Sequence, residues 1–296
     1  MLCTILLTEY WRIGMANSEV VRTPEIDPER SNYRSFWSKD WAKQILDTTK
    51  GTDIEQITID LVISWRCQSE VLASPDTFVE VVYRMISSYQ RPAGWQKIAK
   101  ALADNLKKEV PSLTKQQVVE LFTALAKIHN DMELATETKL QSLGKNQLWD
   151  MLVDPNGNAT KFWFSIMGSC EMVYAAIYFA YENYVTMVTR KRLNLPESKK
   201  IYGGQVGPKL DEAFSDDLAA AFFDAAEIKK ARFARNSICH CGARLTEDLI
   251  EHGHDFEISP ENRIIVFPHH SKELFDIVSD LSLKLAERHL SNPVTS

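Results

Sequence analysis

The sequence predicts an all-α fold: a helical bundle that carries one small β-hairpin, preceded by an N-terminal helical domain. Three observations predict it. Apolar residues recur at three- and four-residue spacing through most of the chain. Capping signals open several of these runs. A single short stretch near residue 260 reads as two strands joined by a turn.

In chain order, residues 1–32 include a polar, proline-containing stretch and are expected to be poorly ordered. Met1 to Leu7 is briefly apolar, but Glu9 and Arg12 follow too soon for a signal peptide or a membrane span, and a start at Met15 would remove the stretch. Residues 33–154 form the expected N-terminal domain, with a sensor or regulatory role. Ser74 before Pro75 predicts a helix start ahead of Phe78, Val81, Val82, Met85 and Ile86. Trp95, Ile98, Leu102 and Leu106 form a second stripe. Thr114 with Gln117 makes a capping box before Val118, Val119, Leu121, Phe122, Leu125 and Ile128. These stripes are expected to face a core.

Asp154, Pro155, Asn156, Gly157 and Asn158 make a turn signal, which sets the expected boundary of a second domain, residues 155–296. A long helix follows over 160–193. Between Glu171 and Glu182 it is apolar on every face, too short to cross a bilayer and so expected to be buried. Residues 195–208, with Lys199, Lys200, Gly203, Gly204 and Gly207, read as a solvated loop. A phosphate cradle is the alternative there, although the Gly-Lys-Ser/Thr ending of a nucleotide-binding loop is missing. Ser215 is expected to cap a helix over 216–235, Ser259, Pro260, Glu261 and Asn262 to join two strands, and Ser271 to cap the last helix.

Bulk composition narrows the function classes. A net charge of -6 with 25% charged residues gives no global attraction to nucleic acid, so any contact with RNA or DNA must be local. Cys3, Cys67, Cys170, Cys239 and Cys241 are odd in number and scattered, which predicts a reducing, cytoplasmic setting without a disulfide framework.

The chemistry-bearing element is Arg235-Asn236-Ser237-Ile238-Cys239-His240, delivered by a basic stretch with Lys229, Lys230 and Arg232 and followed by Gly242, a helix stop, and Arg244. Five steps along an unbroken helix separate two side chains by about 140°. Arg235 and His240 therefore share one site only if the helix ends between them or a second subunit completes the pocket.

The segment from Ala234 to Thr246 resembles the motif region of HEPN domains, small helical domains common in prokaryotic defence and toxin systems, whose signature is Arg, a polar residue and a His spaced as Arg-x4–6-His. The likeness covers about residues 158–292, and the pairing with an N-terminal helical region is similar to some abortive-infection proteins. The resemblance implies a homodimeric, metal-independent endoribonuclease that needs no cofactor and acts on RNA, with an antitoxin or regulatory partner. Arg235, His240 and Asn236 would be catalytic, and Lys229, Lys230, Arg232 and Arg244 would bind the substrate. Histidine titrates near neutrality and suits proton transfer at a 2′-hydroxyl or leaving oxygen, while a guanidinium matches phosphate oxygens two at a time. Family members silenced by nucleotidylation carry a tyrosine two residues after the histidine; here that position is Gly242.

Two other readings stand beside it. A non-catalytic scaffold of the same fold would dimerise or bind RNA without cutting it. A structural zinc site would use Cys239, Cys241, His252 and His254, although each pair has one intervening residue where common zinc knuckles have two to four.

Overall fold

A computed structural model describes residues 33–87, 95–144, 147–148, 160–196 and 199–291. The expected disorder of 1–32 and the turn signal at 154–158 lie outside the described residues. The described chain is helical apart from one two-stranded antiparallel hairpin, as the sequence predicts. In order the elements are α1 (Lys39–Thr49), α2 (Glu55–Ser87), α3 (Trp95–Glu109), α4 (Lys115–Gln141), α5 (Thr160–Arg192), α6 (Gly203–Phe214), α7 (Ala219–Phe222), α8 (Ala226–Cys241), α9 (Glu247–Glu251), β1 (Glu257–Ile258), β2 (Ile264–Ile265) and α10 (Pro268–Ser291). Among the described residues no helix is long and apolar enough to cross a membrane.

The chain divides into two compact units, one made of Met1–Asp76 with Asn158–Ser296 and the other of Thr77–Gly157. This grouping differs from a division near residue 155 alone, because residues 33–76 share a core with the C-terminal helices. Trp41 Nε1 donates to the Ser279 carbonyl at 2.9 Å, and Trp65 Nε1 to the Ile177 carbonyl at 3.1 Å. These two bonds satisfy the only polar atom of each buried indole. Around them Phe36, Trp41, Trp65 and Phe275 form one aromatic cluster with ring centroids 4.9 to 5.7 Å apart.

In this first unit α5 is the central helix, packing against α6, α8 and α10. Val173, Ile177, Tyr178, Tyr181, Tyr184, Val185 and Val188 along it are buried. The burial expected on every face is not complete: Met172 and Phe179, seven residues apart and so on one face, are exposed.

Several local expectations hold. Thr114 and Gln117 form the reciprocal capping box, with Thr114 Oγ1 accepting from Gln117 N at 3.3 Å and Gln117 Oε1 accepting from Thr114 N at 2.9 Å. The hairpin pairs Glu257 with Ile265 and Ile258 with Ile264. Gly242 ends α8 at φ 62°, and Ala243 follows at φ 61°.

Others are corrected. Ser74 and Pro75 lie inside α2, not at a helix start. Pro75 has no N–H for the Val71 carbonyl, and the Ser74 hydroxyl donates to that carbonyl instead at 2.8 Å, so the helix continues. Residues 203–208 belong to α6 and are not loop. Ser215 is the left-handed residue that closes α6, at φ 52°, and the region expected to form one helix over 216–235 is two, α7 and α8. Ser271 sits within α10; the Phe267 N–H at the head of that helix is held by His270 Nδ1 at 3.0 Å. In the second unit, where α3 packs on α4, the stripes expected to face a core leave Phe78, Val81, Met85, Leu102, Val119, Leu121, Leu125 and Ile128 exposed.

Candidate functional site

Helix α8 carries the Arg-Asn-x-x-x-His element whole. Ile228, Ala231, Ala234, Ser237 and Ile238 are its buried face. The helix does not end between Arg235 and His240, so in a single copy the two side chains diverge by about 140°. After Gly242 the chain is fixed against the hairpin: Ser237 Oγ donates to the Arg244 carbonyl at 2.5 Å, and Ile264 N donates to the Ala243 carbonyl at 2.8 Å. His240 therefore stands exposed on the last turn of a well-anchored helix.

Arg235 and Asn236 open into a cavity of about 650 Å3. Helix α5 contributes Phe179, Glu182, Asn183 and Thr186; Ile201 comes next, with Gly203, Gly204, Val206, Gly207 and Pro208 from the start of α6; Phe223, Asp224, Arg232, Arg235 and Asn236 complete the wall. Gly203 and Gly204, named in the phosphate-cradle alternative, thus border this cavity at the first turn of α6.

The charges are arranged in pairs with one exception. Arg235 Nη2 donates to Glu182 Oε2 at 2.5 Å, with both side chains largely buried, and the guanidinium lies 5.6 Å from the Tyr178 ring. Lys229 pairs with Asp224 at 3.7 Å. Arg232 has no carboxylate partner among the described residues; its guanidinium lies over Phe223 at 4.8 Å and Phe233 at 5.4 Å. Its charge is the uncompensated one in the wall. Arg235 Nε, on the cavity wall, and the hydroxyl of Tyr178, whose ring neighbours the Arg235 guanidinium, are buried and without a hydrogen-bond partner among the described residues. Burial raises the Tyr178 pKa; Glu182 pushes it the same way, and Arg232 and Arg235 oppose. Unmet buried polar groups beside an open polar cavity are where water or ligand is expected to enter.

The remaining sequence-predicted residues do not join this site. Lys230 pairs with Glu227 at 2.6 Å and Asp255 at 3.4 Å, and borders a separate small cavity with Tyr174 and His270. Arg244 is exposed, with its backbone bridged to Arg263. The zinc set is not assembled: among the described residues no three His, Cys, Asp or Glu side chains stand together to hold a metal. Cys239 and Cys241 are two steps apart on α8, about 200° around it, while His252 Nδ1 contacts the Asp248 carbonyl at 2.8 Å and its ring lies 4.5 Å from Phe233.

Glu182, Asn183, Phe179 and Asp224 were missed by motif reasoning. A signal for Glu182 exists, since a carboxylate bordering an otherwise apolar helical stretch needs a partner when buried. Its partner is 53 residues away, beyond any local spacing rule. In comparisons with known proteins, no family model, no curated protein and no solved structure matches this chain.

Proposed function

We propose that this chain is a metal-independent endoribonuclease of a prokaryotic defence or toxin system, working as a pair of copies. The observation that carries the reading is the convergence of Arg235, Asn236 and the uncompensated Arg232 on one open cavity, with His240 exposed at the end of the same helix. An RNA phosphate is drawn to Arg232 and Arg235, whose guanidinium forks fit its oxygens and offset the charge that develops during attack. Asn236 supplies a hydrogen bond that orients it. The 2′-hydroxyl oxygen attacks the adjacent phosphorus, its proton leaves to a base, and the bond to the 5′-oxygen breaks as that oxygen gains a proton. Histidine moves the proton in such a step. Because His240 points away from Arg235 within one copy, the histidine is supplied by a second copy meeting the first across α8.

The products are a 2′,3′-cyclic phosphate and a 5′-hydroxyl. Total RNA incubated with wild type and with His240→Ala, followed by end-group analysis, tests the reading. Wild type should yield these ends and His240→Ala should be at least about 100-fold slower, the usual scale for loss of a general acid or base. Intact RNA with wild type would overturn it.

The Arg235–Glu182 ion pair favours a second reading, in which Arg235 is a structural residue and the fold is a scaffold that retains RNA without cutting it. That reading predicts RNA binding, no cleavage and no effect of His240→Ala.

A further inference from the structure

Phe179 is an exposed aromatic ring on the wall of a charged cavity. It stands one turn before Glu182 on α5, and Phe179, Glu182, Asn183 and Thr186 fall within about 100° of that helix's surface. Arg232, Arg235 and Asn236 share an arc of about the same width on α8, which packs on α5. The two arcs meet around the cavity. The Phe179 ring is 62% exposed, whereas Phe223, the other aromatic side chain of the wall, is buried with the Arg232 guanidinium over it. A lone exposed apolar side chain needs no account. This one borders the space that the uncompensated Arg232 charge and two amides also border: the side chains of Asn183 and Asn236 make no hydrogen bond to another described residue.

The chemistry present defines an occupant with three parts. Arg232, held over Phe223 at 4.8 Å and Phe233 at 5.4 Å, offers a fixed cation to a phosphate. An amide both donates and accepts, which suits a 2′-hydroxyl or a base edge. An exposed aromatic face stacks on the face of a nucleobase. A free phosphate would leave the ring and the amides unused. A duplex would leave the ring unused too, because each base face is covered by its neighbour in the stack. The volume of about 650 Å3 lies inside the range, about 300–1,000 Å3, of sites that enclose a small organic molecule, so an unstacked nucleotide fits.

We infer that Phe179 is the base-stacking residue of this cavity and that the site selects unpaired RNA, taking one nucleotide with its base on Phe179 and its phosphate on Arg232. The inference rests on the reading that the cavity takes RNA, and adds the strand class and the residue that sets it. Phe179 is a positioning residue, which holds the nucleotide and moves no proton.

The test reads binding in the full chain carrying His240→Ala, which keeps RNA intact. Affinity for a labelled single-stranded RNA is compared with that for the same strand in a duplex and for an abasic oligomer of equal length. Adding Phe179→Ala should weaken single-strand binding about 5- to 150-fold, the scale of one lost stacking contact, and leave duplex and abasic binding unchanged. Phe179→Trp should bind the single strand as tightly as Phe179 does. Phe179→Leu, apolar but without an aromatic face, should not. Arg232→Gln should reduce the slope of log affinity against log salt by about 0.7, while Phe179→Ala leaves that slope as it was. Equal loss on all three ligands, full affinity with Phe179→Ala or Phe179→Leu, or no single-strand binding at all overturns the inference. Intact RNA with wild type, beside a Phe179-dependent preference for the single strand, would sink the ribonuclease reading alone. Cleavage without that preference would sink this inference alone.

Discussion

Arg235 has two tasks in this account, and they pull in different directions. It holds Glu182 in a largely buried ion pair, and it is the candidate phosphate contact of the cavity. Removing it strands the carboxylate, which costs more than the pair itself contributes. Arg235→Ala should therefore lose about 1–3 kcal/mol of unfolding free energy in urea titrations, the scale of a partly buried group left without its partner. The double variant Arg235→Met with Glu182→Gln, which removes both charges, should recover most of that loss while remaining inactive on RNA. Recovery of stability without recovery of cleavage separates the structural task from the chemical one; equal stability of Arg235→Ala and wild type would show that the pair carries no weight. Arg232 is the contrasting case, a cation stacked on Phe223 and Phe233 whose charge no described side chain neutralises.

At the scale of elements, the head of α10 is held by an unusual cap. The Phe267 N–H donates to His270 Nδ1, which requires that nitrogen to be unprotonated. Burial lowers the His270 pKa to about 4 from its ordinary 6.5; the neighbouring His269 acts in the same direction and Asp255 opposes. The folded value is depressed below the unfolded one, so the folded chain binds fewer protons between the two. This contribution to stability is present above pH 6.5 and is lost as pH falls from 6.5 toward about 4. His270→Gln keeps an acceptor for the Phe267 N–H and removes the titration. Its unfolding free energy should fall less than that of wild type across that interval, and parallel pH profiles would contradict the role.

The caps also show which elements were legible in the sequence. The Thr114–Gln117 box and the Gly242 stop act within a few residues, and both stand where the sequence places them. Pro75 misled because the Ser74 hydroxyl takes over the carbonyl bond that proline cannot make, an exchange that leaves the helix intact. Ser271 misled because a histidine, not a hydroxyl, holds the terminal N–H. The Arg-Asn-x-x-x-His element was legible, but its geometry was not, since the helix runs on to Cys241 and separates the two side chains.

For the whole molecule, the grouping of residues 33–76 with the C-terminal helices rests on contacts such as Trp41 to Ser279, 238 residues apart, and Trp65 to Ile177, 112 apart. No local spacing encodes such pairings. The same limit hid Glu182 as the partner of Arg235. What remains legible at this scale is the class, since helical periodicity with one hairpin gives an all-α fold, whereas the proposed ribonuclease site, with Arg235 and His240 about 140° apart on one helix, needs two copies. Complementation tests it most directly. Arg235→Ala and His240→Ala copies, each inactive alone, are mixed under conditions that exchange subunits, and RNA cleavage is measured. If one copy supplies arginine and the other histidine, half the pairs are mixed and each restores one of two sites, so activity should rise to about one quarter of wild type. A mixture no more active than either parent, beside an active wild type, would contradict the shared site.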